Sequence, residues 1–526
     1  MNTNATSVPS RCEVVVVGTG AGGLVAALAA ARRGLDVVVI EREPHFGGTT
    51  AYSGSGIWLP GNSVSLGAGA VDDVEATREY LDAVVDESGN RELREAYLTA
   101  AAPTVDELLE ERWIELEWKP FPDYFPEVAT ASQRGRSIYP LPITRPVAAA
   151  VADTVIPTLP VTRGGHDTGE TMIGGQALTA RLLLALADRS VPVFASTELI
   201  ELHRDGDRVD AVVVRTADGE RRIEVERGVI LASGGFEQNI ELRLQHGHPV
   251  KAGWTMGAPG GRGGALAAAT AIGAATDLMD ACWWTPAFAT EDGPAFRVRD
   301  RGRPGSIMVD RAGRRFVNES LPYDRVGGAM AALCRSGQLE LPAWFIIDQT
   351  FLDRYGINGV PAGETLPAAW FEGGWCHQAD SVEALAATIG VDADGLVATV
   401  DDHNQACETG IDPFGRGEHA FDRFFGDPEV GPNPTLAPIT KSPFYALPVV
   451  LSDLGTKGGL VCDTAARVLD TSGSVIGGLY ATGNAMAPWS GKVYPGPGVP
   501  IGTSIVFGRL AAIDIAAASA PHGAGR

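Results

Sequence analysis

Positive charge is scarce in this 526-residue chain: 42 Lys and Arg against 65 Asp and Glu leave a net charge of −23. Affinity for nucleic acid comes from cationic side chains displacing counterions, so a nucleic-acid partner is excluded. Long apolar runs are missing too. No stretch reaches the ~18 residues that a membrane span needs. The nearest, Leu266–Ala275 and Ser504–Ala520, are short or interrupted by Arg509 and Asp514. Cysteine is thin: Cys12, Cys282, Cys334, Cys376, Cys407 and Cys462 lie far apart with no CxxC pair. That spacing excludes a disulfide framework and predicts thiols in a reducing compartment. Met1–Arg11 has no apolar h-region, so no secretory signal is expected; a cytoplasmic location is, with membrane association as the alternative. Glycine, by contrast, is in excess, with 65 of 526 residues, well above a usual ~7%.

The first glycine cluster carries chemistry. Val14–Val17 is a continuous apolar run, as for a strand buried on both faces. Gly18-Thr19-Gly20-Ala21-Gly22-Gly23 follows, matching G-x-G-x-x-G, then an Ala-rich helix over Leu24–Arg33 with Gly34 at its end. A second buried strand, Asp36–Ile40, runs into Glu41 and Arg42. Strand, glycine turn, helix, strand and acid in this order form a dinucleotide fingerprint: glycines let the backbone approach a pyrophosphate at a helix N-terminus, and the acid takes ribose hydroxyls. Gly47-Gly48-Thr49-Thr50 and Ser53-Gly54-Ser55-Gly56 come next. A loop so rich in Gly and Ser can pass close to a further section of cofactor, which favours FAD over NAD.

The rest of such a domain is dispersed. Val193–Gly235 reads as strands joined at Asp205-Gly206 and Asp218-Gly219, ending in Ala232-Ser233-Gly234-Gly235. Val475–Ala481 and Gly483-Asn484 repeat that ending near the C-terminus, and Ile505–Ala518 reads as a last helix. Its N-terminus, near Gly502-Thr503, is placed to face an anionic flavin, and Ile501 just before it is a further cofactor-binding candidate. Residues 286–450 have another texture, richer in Pro and aromatics. The fold expected is α/β: a Rossmann-like FAD-binding domain split in sequence (1–285 and 451–526), with an inserted α+β catalytic domain (286–450) capping the substrate.

These motifs resemble the flavoprotein family of fumarate reductase and succinate dehydrogenase. Pro122–Glu127, Glu319–Asp324, Leu454–Gly459 and Tyr494-Pro495-Gly496-Pro497-Gly498 are similar, more narrowly, to the 3-ketosteroid Δ1-dehydrogenases. The resemblance implies FAD-dependent 1,2-desaturation of 3-ketosteroids in steroid catabolism, with a catalytic set of Tyr124, Tyr323, Tyr494 and Gly498. It implies that Tyr323 takes the C2 proton with help from Tyr124. The Tyr494 O–H and Gly498 N–H hold the C3 carbonyl, and hydride leaves C1 for flavin N5. It also implies a quinone-like electron acceptor, replaceable by a dye. No His lies in the loop after Gly56, so the FAD is expected to be non-covalent. No metal is expected: His246 and His248 have no third ligand and are read as surface residues. Trp283, Trp284, Phe288, Phe296, Phe121, Phe125, Val499 and Pro500 are candidate pocket residues. Asp280 and Asp324 are expected to be solvated or capping groups. The alternatives are a 3-ketosteroid Δ4-(5α)-dehydrogenase and a fumarate reductase-like enzyme. The second needs a His/Arg cluster that is not apparent around Tyr494.

Overall fold

The computed structural model of the protein describes residues 7–162 and 169–518. They form two units. The first takes the chain up to His246, Gly257–Cys282 and the part from Gly455 onward; the second takes Gly247–Met256 and Trp283–Leu454. Residues 247–256, which precede the boundary expected at 285/286, therefore group with the second unit.

The first unit is built on a mixed sheet whose central strands are parallel. Strand β1 (Arg11–Val17) pairs in parallel with β2 (Val37–Ile40) and with the end of a long strand, Gly219–Leu231. That strand pairs in parallel with Val475–Ala481, so the C-terminal part of the chain completes a sheet begun at residue 11. Val14, Val15 and Val16 are wholly buried, as a strand covered on both faces requires. Register puts Val17 beside Ile40 and Leu231, and Leu231 beside Ala481. All four strands consequently end at one edge. Gly18, Glu41, Ala232 and Thr482 leave the sheet together there, where a parallel sheet binds its ligand.

Helix α1 (Ala21–Arg32) packs on the C-terminal helix Val499–Ala517. Gly22 and Gly508 allow the approach, because a Cβ on Gly508 would run into the Gly22 carbonyl. The C-terminal helix starts at Val499, ahead of the start expected near Ile505. Gly498, at φ +100, turns the chain in a left-handed conformation that disfavours any side chain, and Pro500 fits the first turn with its preset φ. This helix is long and apolar enough to cross a membrane by length and composition. It is also mostly buried, as a core helix is.

Ion pairs fasten it. Glu107, on the helix Arg91–Leu109, contacts Arg33 at 2.8 Å and Arg509 at 2.6 Å. Burial pushes its carboxyl up, but the hydrogen bonds and charges of Arg33 and Arg509 prevail and hold it at about 2, below its ordinary 4.5. A depressed folded-state value contributes stability above the ordinary value and loses it as pH falls. Glu107→Gln should therefore flatten the drop in melting temperature between about pH 5 and pH 2. Thermal melts at stepped pH check this, and a slope identical to wild type contradicts it.

In the second unit an antiparallel sheet has the order Cys282–Phe288, Phe444–Thr456, Ala343–Asp348, Ser306–Val309, with His377–Ala379 also pairing to Phe444–Thr456. Its core includes Ile307, Ile346, Leu385 and Leu396. The helix Tyr323–Arg335 belongs to this unit.

Candidate active site

The sheet edge of the first unit forms a cradle. Gly18 is left-handed at φ +103, and a Cβ there would strike the backbone of Ala232. A Cβ on Gly23 would strike the Gly18 carbonyl, so this glycine lets α1 close on the turn. Gly20 caps α1 without a side-chain hydrogen bond. The Ala21 N–H donates to Thr50 Oγ1 at 3.0 Å, while those of Gly22 and Gly23 belong to a first turn with no intrahelical acceptors. Glu41 is buried; its carboxylate accepts from the Thr19 N–H (3.1 Å), the Thr19 hydroxyl (2.6 Å) and the Glu43 N–H (3.1 Å). Burial pushes its carboxyl above the ordinary value, against those hydrogen bonds. Arg42 lies 3.2 Å from Glu198 instead of reaching over the cradle unpaired.

The following loop folds back on this turn. Gly47, at φ +113, caps the short helix α2 (Gly48–Tyr52) and donates its N–H to Thr19 Oγ1 at 3.0 Å. Thr49 Oγ1 accepts from the Ala258 N–H, and the Ser53 hydroxyl donates to the Thr50 carbonyl. A Cβ on Gly48, Gly54 or Gly234 would meet nothing within 4 Å, so these glycines border open space. Ser233 lies beside Gly234 after the strand Gly219–Leu231. Gly483 opens a 3-10 turn, and the Asn484 amide fills the space a side chain on Gly455 would need. Open space at a sheet edge, an uncapped helix N-terminus and a buried acid fit the pyrophosphate and ribose of FAD. Gly23→Ala should lower both FAD retention and melting temperature, measured as the ratio of flavin to protein absorbance and by a thermal melt; a fully loaded, equally stable variant contradicts the assignment.

Beside the loop lies Tyr494–Gly498. The Gly498 N–H donates to Tyr494 Oη at 3.1 Å, so the two proposed carbonyl donors sit together. A Cβ on Gly498 would meet the Gly56 backbone closer than 3.0 Å. Tyr494 is 4% exposed and Tyr124 1%; their rings meet edge to face with centroids 5.0 Å apart. The Tyr124 N–H donates to the Pro495 carbonyl at 2.9 Å. Ile501 lies in the first turn of the helix that Gly498 caps.

The FAD binding domain family matches residues 13–501. A 3-oxosteroid 1-dehydrogenase of Mycolicibacterium smegmatis is 38% identical, over 97% of this chain and 98% of its own. A 4-oxocyclohexanecarboxylate 2-dehydrogenase of Sinomonas cyclohexanicum is 36% identical, over 98% and 94%. The crystal structure of 3-ketosteroid delta1-dehydrogenase from Sterolibacterium denitrificans, in complex with 1,4-androstadiene-3,17-dione, superposes with a TM-score of 0.90 at 34% identity, covering 97% of this chain and all of that one. The chain belongs to the 3-oxosteroid 1-dehydrogenase family. It is thus an FAD-dependent oxidoreductase, and the reading of its motifs as those of a 3-ketosteroid dehydrogenase flavoprotein holds.

The remaining tyrosine of this dehydrogenase family's expected set lies in the second unit. Tyr323 is the first residue of its helix, 8% exposed, with the Phe296 ring edge-on at 4.9 Å. Glu319, four residues earlier, is wholly buried between Arg315 (2.7 Å) and Arg416 (3.1 Å) and accepts from the Met308 N–H. Burial pushes its carboxyl up, yet the two guanidinium groups bring it down to about 2. Arg301 donates to the Glu319 carbonyl at 2.6 Å. The Glu319–Tyr323 segment is therefore anchored at its first residue.

Trp283, Trp284 and Phe288 lie on one buried strand, and Phe121 stands edge-on to Tyr124. One expectation needs correction. His248 is not a surface residue: it is 2% exposed and packs edge-on against Trp284. Asp324 is buried, and it lies in the first turn of its helix, the position expected of a capping group and not of a solvated one. Asp280 does pair with Lys492 at the surface. Among the described residues no group of His, Cys, Asp and Glu could hold a metal.

Sequence reasoning missed the support of Tyr124. Asp123 accepts from the Trp58 indole N–H (2.9 Å) and from Arg136 (3.0 Å), and Arg136 also pairs with Asp72 (2.6 Å). All three charged side chains are buried. Only the Asp123-Tyr124 adjacency hinted at this, since Asp72 and Arg136 are 64 residues apart in sequence.

Proposed function

We infer that the protein introduces the C1–C2 double bond into 3-ketosteroids. The observation that carries this reading is the pairing of Gly498 N–H with Tyr494 Oη beside a glycine-lined FAD cradle. A 3-keto group acidifies the C2 proton, so the chemistry needs two donors at the carbonyl oxygen and a base at C2. Gly498 supplies an N–H with no side chain in the way. That N–H rests on Tyr494 Oη, so a C3 carbonyl oxygen that takes it over lies within reach of the Tyr494 proton as well. Such donors stabilise the charge developing on the carbonyl oxygen in a dry site, each worth roughly 2.7–4 kcal/mol. Tyr323 takes the C2 proton, and Tyr124 polarises it. FAD, when bound, supplies the acceptor for the two electrons and the hydrogen that leave C1. It is held non-covalently, and acid precipitation should release it into the supernatant. A quinone-like acceptor reoxidises the protein, and the location is cytoplasmic.

Mixing the flavoprotein anaerobically with androst-4-ene-3,17-dione should bleach the flavin, and a dye acceptor should then allow 1,4-diene to accumulate. Failure to form any 1,4-diene from several 3-ketosteroids refutes the reading. With a 5α-reduced 3-ketosteroid, a 4-ene product would indicate Δ4-(5α) chemistry instead. Turnover of 4-oxocyclohexanecarboxylate alone would point to a monocyclic ketone, which the net charge of −23 disfavours as an anion.

A further inference from the structure

Tyr80 has no role in the chemistry above, yet its hydroxyl bonds both the segment of Tyr124 and the segment of Tyr494. It lies wholly buried on the helix Val74–Val84. Its hydroxyl donates to the Pro495 carbonyl at 2.6 Å and accepts from the Phe125 N–H at 3.2 Å. The Tyr124 N–H donates to that same Pro495 carbonyl. One phenol oxygen therefore ties the residue after Tyr124 to the residue after Tyr494. On the neighbouring turn, the Ser137 hydroxyl donates to the Pro497 carbonyl. The Arg136 guanidinium, held by Asp72 and Asp123, lies 5.9 Å from the centre of the Tyr80 ring. Burial pushes the Tyr80 phenol well above its ordinary value, so it remains a donor throughout the working pH range.

We propose that Tyr80 is a positioning residue for the desaturation: its hydroxyl sets the spacing of Tyr124 against the Tyr494–Gly498 clamp. This rests on the function inferred above. Removing the oxygen leaves the ring and its packing, but releases the Phe125 N–H and one of the two hydrogen bonds on Pro495.

The test uses the FAD-loaded protein. Tyr80→Phe should lose turnover by about tenfold or more with KM changed by less than about threefold, because binding survives and alignment does not. A merely structural role would add its loss to that of Tyr494→Phe. A positioning role through the clamp would not, so the Tyr80→Phe/Tyr494→Phe double variant should lie within about threefold of Tyr494→Phe alone. A Tyr80→Phe flavoprotein within about twofold of wild type, or a double variant whose losses multiply, overturns the proposal. Should Tyr80→Phe not fold, 3-fluorotyrosine at position 80 keeps the shape and alters the oxygen; unchanged turnover then overturns it. Wild type that forms no 1,4-diene defeats the underlying function instead, whereas active wild type with an unaffected variant defeats only the role of Tyr80.

Discussion

Tyr323→Phe should abolish nearly all turnover while steroid binding and flavin content persist. The substitution removes one oxygen and little else. The ring stays at the start of its helix against Phe296, and the preceding loop stays anchored by Glu319 between Arg315 and Arg416. What is lost is the group assigned to take the C2 proton. Positioned proton transfer typically contributes about 10²–10⁴-fold. The decisive comparison is the rate of flavin bleaching by substrate in variant and wild type, with product affinity measured alongside. If the variant kept more than about a tenth of the rate, less than ~1.4 kcal/mol of barrier would depend on this hydroxyl, and the base would have to be sought elsewhere.

Gly498→Ala should be comparably severe for a different reason. The residue is left-handed at φ +100, and a Cβ would press on the Gly56 carbonyl and the Ile57 N–H. Those are backbone atoms of the cofactor loop, so nothing flexible can yield. Either the loop moves or the Gly498 N–H leaves its position beside Tyr494 Oη. Losing a donor of this kind costs roughly 10²–10³ in rate. Loop movement should also lower the flavin-to-protein ratio, which distinguishes this variant from Tyr494→Phe, where only the phenol oxygen goes. An active Gly498→Ala protein with full flavin and turnover within about tenfold of wild type would show that the clamp is elsewhere.

The two sites differ in how far they could be read in advance. The cofactor cradle is made by contiguous stretches: Gly18–Gly23 with Glu41, the Gly47–Gly56 loop, and the glycine turns after two apolar strands. Each stretch carries its own conformational requirement, such as the φ of +103 at Gly18. A glycine at the end of a buried strand therefore points to the edge of a parallel sheet without knowledge of the partner strands. The tyrosines are another matter. Nothing local distinguishes Tyr124 or Tyr323 from a core tyrosine; only their motifs singled them out. Tyr80, with no motif of its own, was not singled out at all.

By itself, the amino-acid order determined the α/β fingerprint, the discontinuous cofactor domain and the choice of FAD, because these depend on periodicity and on residue types whose backbone preferences act within a few positions; the family came from the resemblance of its motifs. Tertiary structure alone decided that Asp72, Arg136 and Asp123 form a buried set behind Tyr124, that Tyr80 bridges Phe125 and Pro495, that His248 is packed inside, and that the last helix begins on Gly498. Those outcomes join residues up to 415 positions apart. Their energetics come from desolvation and from hydrogen bonds that exist only once the chain has closed, and no local pattern encodes them.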